Sequence, residues 1–275
     1  MKKYSNYFAY LVLIFFVGTL VSAQDTSADK ASVPFSNPSK PGLVEASVHN
    51  GGITVKGYDG KEVIIEAKMR GKRVSKEKKE VSGMKLIRVA TTGLTIEEDD
   101  NRMEIGVESW KNTVDLTIQV PYSTSLDLSG HDNGYIIVEN VKGEIEVNHH
   151  NGPLTLTNVS GSVVAHTFNG HVKVTFESID PEKPMSFSTW NGDIDVTFPS
   201  GTKAELKMKS RQGDIYSDFD IQIIQSPQKK VEDSRKRDGK YKISFGEYIY
   251  GTINGGGPEY QFNTYNGDIY IRGKK

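Results

Sequence analysis

Side chains able to do acid–base or metal chemistry recur at a fixed place in this 275-residue sequence, and the recurrence limits what they can do. Asp193, Asp214 and Asp268 each directly follow a glycine. Stacked in a fold they would form an acidic row, and paired carboxylates are the apparatus of glycoside hydrolysis. A catalytic acid has no reason to return at the same place in several repeats. A turn residue does, because Asp accepts hydrogen bonds from nearby backbone N–H groups. The recurrence assigns all three to turns. Calcium is also excluded: the calcium-binding nonapeptide repeat needs an Asp two residues after a glycine, where this chain places aliphatic residues.

The histidines and aromatics offer binding chemistry. His131 and His149 are 18 residues apart, so in stacked repeats they would lie about 5 Å from each other, with His150 beside them. His166 or Asp132 could add a donor, yet no two of these residues show an established ligand spacing, so neither a metal nor a cofactor is expected. Two residues before recurrent glycines stand His49, Asp132, His150, Phe168, Trp190, Arg211 and Tyr265. A column that mixes charges with rings belongs at an exposed corner. There Phe168 and Trp190 would make a stacking platform for sugar rings or a partner protein. The competing arrangement folds both over the corner to extend the core. His131, His149, His150, Phe168, Trp190 and Tyr265 are therefore the candidate binding surface. No catalytic triad, phosphate loop or cofactor fingerprint stands out. Gly255-Gly256-Gly257-Pro258 precedes a strand and lacks the helix N-terminus that a phosphate site uses.

What must position these residues is a repeat. Glycines stand at 134, 143, 152, 161 and 170, nine residues apart, and they alternate between Asn-Gly (133–134, 151–152, 169–170) and Lys-Gly or Ser-Gly. The unit is thus 18 residues in two halves. Two and four residues after each glycine come aliphatics: Ile136 and Val138, Ile145 and Val147, Leu154 and Leu156, Val172 and Val174. The frame returns at Gly51, Gly192 and Gly267, and in part at Gly213, where Ile215 is followed by Ser217. Such alternation makes strands with one buried face. Nine is odd, so something must reset the phase in each half-unit, and a left-handed residue at the Asn-Gly corner would do it.

Two architectures meet this pattern: a parallel β-solenoid with 18-residue rungs, or an antiparallel meander or sandwich with Asn-Gly hairpins. The meander leaves an apolar face with nothing to cover it, whereas a coil buries both of its sides against each other. An all-β solenoid is the expectation. Residues 43–273 form one β-repeat domain, with regular rungs over 122–273 and a charged insertion near 226–240. Residues 43–121 alternate less regularly, over Val63–Met69, Met84–Thr91, Leu94–Glu98, Arg102–Glu108 and Thr113–Val120, and should cap one end with partly antiparallel strands. The charged runs Arg70–Lys79 and Glu97–Asp100 read as solvated hairpin tips.

The N-terminus bears on location. Lys2 and Lys3, the apolar run Phe8–Val21 and the small residues Val21-Ser22-Ala23 make residues 1–23 a signal peptide, so the product is exported to the periplasm, cell surface or extracellular space. Residues 24–42, rich in Ser, Pro and Lys, read as a flexible leader. No second apolar run predicts a stable membrane span, and the absence of cysteine removes disulfides and lipoprotein anchoring. Cleavage would take Lys+Arg from 34 to 32 against 35 Asp+Glu, a net charge of −3. A nucleic-acid partner wants a basic excess, so none is expected.

Val120-Pro121 with Ser125-Leu126-Asp127-Leu128, the serial Asn-Gly rungs, Phe198-Pro199-Ser200-Gly201, Ser210-Arg211-Gln212-Gly213-Asp214-Ile215 and Gly256-Gly257-Pro258 with Asn266-Gly267-Asp268-Ile269 resemble the putative adhesin family of exported bacterial β-repeat proteins. The resemblance covers roughly residues 43–273. It implies a β-solenoid and surface attachment, and it carries over no catalytic residues. The expected function is a non-enzymatic envelope or extracellular binding scaffold, its partner a glycan or an envelope or surface protein. A polysaccharide-acting enzyme on a solenoid and a purely structural envelope component are the alternatives.

Overall fold

The computed structural model describes residues 28–70, 92–107, 112–224, 229–234, 240–245 and 248–275. Residues 1–23, Met84–Thr91 and the basic run after Arg70 lie outside them. The described residues contain strands and turns and no helix, and so no helix long and apolar enough to cross a membrane.

The chain winds between two faces. Numbered in chain order, the strands of the first face lie in space as β5 (Leu94–Asp99), β6 (Arg102–Val107), β2 (Leu43–Asn50), β8 (Ser125–Asp132), β10 (Lys142–Asn151), the second half of β11 (Leu154–Asn169), β13 (Met185–Asn191), β21 (Glu259–Asn266), β15 (Ala204–Ser210), β20 (Ile249–Ile253) and β17 (Gln222–Ile224). The second face runs β1 (Ala28–Pro34), β4 (Glu62–Met69), β7 (Val114–Pro121), β3 (Ile53–Tyr58), β9 (Ile136–Glu139), the first half of β11, β12 (Val172–Ile179), β14 (Ile194–Phe198), β22 (Ile269–Gly273) and β16 (Ile215–Ser217). From β6 to β15 and from β7 to β16 every neighbour is parallel, which is a β-solenoid; antiparallel strands close the ends.

The rungs do not stack in chain order. The first rung, β2–β3, lies inside the later rung β6–β7, and the last, β21–β22, lies inside β15–β16. Both ends of the winding are thereby clamped between neighbours.

The aliphatic frame faces inward. Ile53, Val55, Ile136, Val138, Leu154, Leu156, Val172, Val174, Ile194, Val196, Ile269 and Ile271 have no exposed surface, and burying each such side chain is worth roughly 1.5–3 kcal/mol. In the later rungs the interior turns aromatic, with Phe176, Phe187, Phe198, Tyr260 and Phe262 packed face to face and edge to face.

Three expectations need correction. The stretch 28–42 is not a leader: β1 pairs along its whole length with β4, and Phe35 is buried under Gly42. The charged insertion includes a separate antiparallel ribbon, β18 (Lys229–Ser234) with β19 (Lys240–Phe245). The phase reset by a positive φ at the Asn-Gly corner holds only in part: Asn133, Gly51, Gly192 and Gly267 have one, whereas Gly152 and Gly170 with their asparagines do not, and Asn140 and Asn158 turn left-handed at the opposite corner.

Candidate functional site

The Asn-Gly corner is built from four columns, and its glycines come first. A Cβ on Gly152 would lie 2.3 Å from the carbonyl oxygen of Gly134, and one on Gly170 would lie 2.2 Å from that of Gly152. The same clash recurs up the stack, with Gly192 against Gly170, Gly267 against Gly192 and Gly213 against Gly267. Successive corners approach so closely that only hydrogen fits, and at Gly192 and Gly267 a φ of 148° and 152° is a second requirement for glycine.

The second column precedes these glycines. Asn151 donates its side-chain amide to Asp132 at 2.6 Å, Asn169 to Asn151, Asn191 to Asn169 and Asn266 to Asn191 at 2.7 Å each. A third column lies beneath: the hydroxyls of Thr167, Thr189, Thr264 and Ser210 donate to the carbonyls of Gly152, Gly170, Gly192 and Gly267. Each amide and hydroxyl therefore finds its partner in the adjacent rung, as buried polar groups must.

The fourth column is the outer one and consists of rings. His49, His131, His150, Phe168, Trp190 and Tyr265 stack in that order with centroid spacings of 4.9, 4.8, 5.2, 5.9 and 4.4 Å. The Arg211 guanidinium closes the column over Tyr265 at 5.4 Å. Phe168 and Trp190 remain 39% and 46% exposed, so they do not fold into the core. Their faces, however, are covered by one another. Solvent meets ring edges, and the interior rings offer no open face to a sugar.

The pairing of His131 with His149 is overturned. His131 stacks on His150, while His149 points inward and is only 3% exposed. The glycines hide the reason: they are 18 apart, but β8 and β10 pair with a shift of 19, Leu126 beside Ile145 and Gly130 beside His149. The extra residue is Asn133, in the left-handed conformation. The same shift moves Asp132 out of the ring column and to the head of the amide ladder. His149 fills the room left by Gly130, against which its ring packs, and occupies the place that Thr167 takes one rung on. Neither of its ring nitrogens has a hydrogen-bond partner, and burial pushes its pKa below the ordinary 6.5.

Two side chains outside the predicted set complete the column, His49 and Arg211. Both stand two residues before their glycines, the signal that marked the others. Beside the aromatic end lies a shallow pocket of about 130 Å³, lined by Trp190, Tyr265, Lys209, Arg211, Asn263 and Thr189. At the other end Asp132 is held below the usual carboxylate range by hydrogen bonds from Asn151 and His131. The three aspartates after the glycines stack separately: Asp193 accepts the N–H of Asp268, which accepts that of Asp214, each at 2.9 Å.

No curated protein matches the chain. Among solved structures, one described as a putative cell adhesion protein from Clostridium sporogenes ATCC 15579 shares 12% identity over 90% of this chain and all of its own, with a TM-score of 0.50. It is similar in fold. A second, described as a putative adhesin from Bacteroides fragilis NCTC 9343, shares 11% identity over 90% of this chain and 97% of its own, with a TM-score of 0.36. The Toastrack DUF4097 family model matches residues 131–272, just over half of the sequence and nearly all of the regular rungs, and the chain belongs to that family.

Proposed function

We propose that the protein is an exported, non-enzymatic, adhesin-like binding scaffold of the cell envelope, and that it takes an acidic glycan at the aromatic end of the ring column. The observation that carries this reading is the meeting of Trp190, Tyr265, Lys209 and Arg211 around one shallow pocket at the corner. The exposed apolar rims of Trp190 and Tyr265 offer van der Waals contact to a sugar, and the Asn263 amide suits its hydroxyls. Lys209 and Arg211 suit a carboxylate or sulfate; a planar guanidinium binds such groups in a fork. The pocket is sized for a single charged or hydroxylated group, which favours a glycan residue over the broad footprint of a protein.

A scaffold role without catalysis is supported by the aspartates. The Oδ1 atoms of Asp193 and Asp268 accept the backbone N–H of the aspartate in the next rung, as turn residues do, and Asp214 ends the row. Export rests on the signal-peptide pattern of residues 1–23.

Screening the purified protein against acidic and neutral glycans tests the reading. Binding should be confined to acidic members and fall at least tenfold in Arg211→Ala and in Trp190→Ala combined with Phe168→Ala, with unchanged circular dichroism. An array without a hit, or variants that bind as well as the parent, would refute it.

A further inference from the structure

We propose that His49, His131 and Asp132, at the end of the column opposite Arg211, form a binding site for a late divalent transition ion such as Zn²⁺. The site goes beyond the glycan reading and does not depend on it.

The register of two strands creates it. β2 and β8 pair with Val48 beside Gly130 and Asn50 beside Asp132, which sets His49 next to His131 although 82 positions separate them. One donor atom from each of the three residues lies within 4.8 Å of the others. Nδ1 of His131 and Oδ2 of Asp132 are 3.0 Å apart. Two ligands on a tetrahedral ion with bonds of about 2.0–2.1 Å lie roughly 3.3 Å apart, so this pair already stands near chelating distance. The His49 ring stacks on His131 at 4.9 Å, so it must turn and draw closer for its nitrogen to join the pair.

The donor chemistry narrows the ion. Two imidazoles and one carboxylate suit Zn²⁺, Cu²⁺ or Ni²⁺, whereas Ca²⁺ and Mg²⁺ prefer oxygen throughout. Three protein donors leave a fourth position open, and His131, with half of its side chain exposed, faces solvent there. Asp132 is also held from behind: its other oxygen accepts the Asn151 amide at the head of the ladder. Such outer contacts orient a ligand and tune affinity. In the ion-bound form His131 carries its proton on Nε2 and gives the Nδ1 lone pair to the metal, which replaces the Nδ1 contact with Asp132.

The test is calorimetric titration of the untagged, chelator-stripped protein with Zn²⁺, with Ca²⁺ as comparator. Saturable Zn²⁺ binding is expected, with no Ca²⁺ response at the same concentration. Affinity should fall at least tenfold in each of His49→Ala, His131→Ala and Asp132→Asn, and hold in His166→Ala. Cu²⁺ loaded in place of Zn²⁺ should show nitrogen hyperfine structure from two imidazoles in its electron paramagnetic resonance spectrum. The proposal is overturned if Zn²⁺ gives no saturable binding, or if either His49→Ala or His131→Ala binds as tightly as the parent with its circular dichroism unchanged.

Discussion

The two corners of the coil solve the same problem by different means. At the Asn-Gly corner only two residues separate the strands in the rungs that contain Gly51, Gly152, Gly170, Gly192 and Gly267, and each step is locked by a glycine contact, an amide and a ring. At the opposite corner Asn140 and Asn158 turn in the left-handed conformation, Asp180–Pro184 and Pro199–Lys203 insert five residues each, and the excursion 218–258 departs from the end of β16. A corner whose neighbours touch has room for little more than the single extra residue Asn133, which the columns absorb by a left-handed turn. A corner that turns by local conformation accepts longer insertions. The candidate binding groups lie on the constrained corner, where stacking holds them in a line that no loop could keep.

Substitutions that introduce one methyl group at each corner should separate the two most sharply. Gly170→Ala drives a Cβ into the Gly152 carbonyl and should cost about 3 kcal/mol or more, seen as a fall in the urea midpoint. Breaking the amide ladder comes next. Asn169→Ala removes the bond to Asn151 and leaves the exposed Asn191 amide to water, for a loss of about 1.5 kcal/mol in the same titration. Phe168→Ala interrupts the ring column between His150 and Trp190 and should cost about 1 kcal/mol, read from thermal unfolding.

Acid should expose the buried imidazole. Because burial lowers the His149 pKa below 6.5 in the folded state, the unfolded chain takes up the proton first as pH falls. Stability contributed by the neutral ring is therefore complete above about pH 6.5, declines below it, and levels off under the folded pKa. His149→Thr, which restores the residue type of the neighbouring rungs, should flatten this limb of a denaturation-against-pH curve. The smallest effect belongs to the permissive corner: Gly201 has nothing within 4 Å of its Cβ position, so Gly201→Ala should shift stability by less than about 0.5 kcal/mol.

The inward frame was legible because period-two alternation reports burial directly: the aliphatic pairs from Ile136 and Val138 to Ile269 and Ile271 lie inside, and the frame weakens only at Gly213, where Ile215 is partly buried and Ser217 exposed. The ring column was half legible. Phe168, Trp190 and Tyr265 stack where equal distance from a glycine put them, but His131 and His149 did not, since one extra residue at Asn133 leaves the glycine spacing intact and shifts the strand. The order of the rungs was not legible at all. Rungs with the same inward pattern pair equally well, so nothing local to β21 tells it to lie beside β13 rather than beyond β15. β1 escaped notice for another reason: as an outermost strand of small and polar residues with a single Val, it buries little and alternates weakly.

That order decides whether the ring column is continuous, and cysteine cross-linking reads it directly in a chain with no cysteine of its own. Trp190 and Tyr265 occupy adjacent strands in register, whereas Arg211 lies one strand further on. Trp190→Cys paired with Tyr265→Cys should close a disulfide under mild oxidation, and Trp190→Cys paired with Arg211→Cys should not, because two strand spacings exceed the reach of about 7 Å between Cα atoms. A bridge in the second pair with none in the first would mean that the rungs stack in chain order, and the column, its pocket and the clamped ends would all have to be given up.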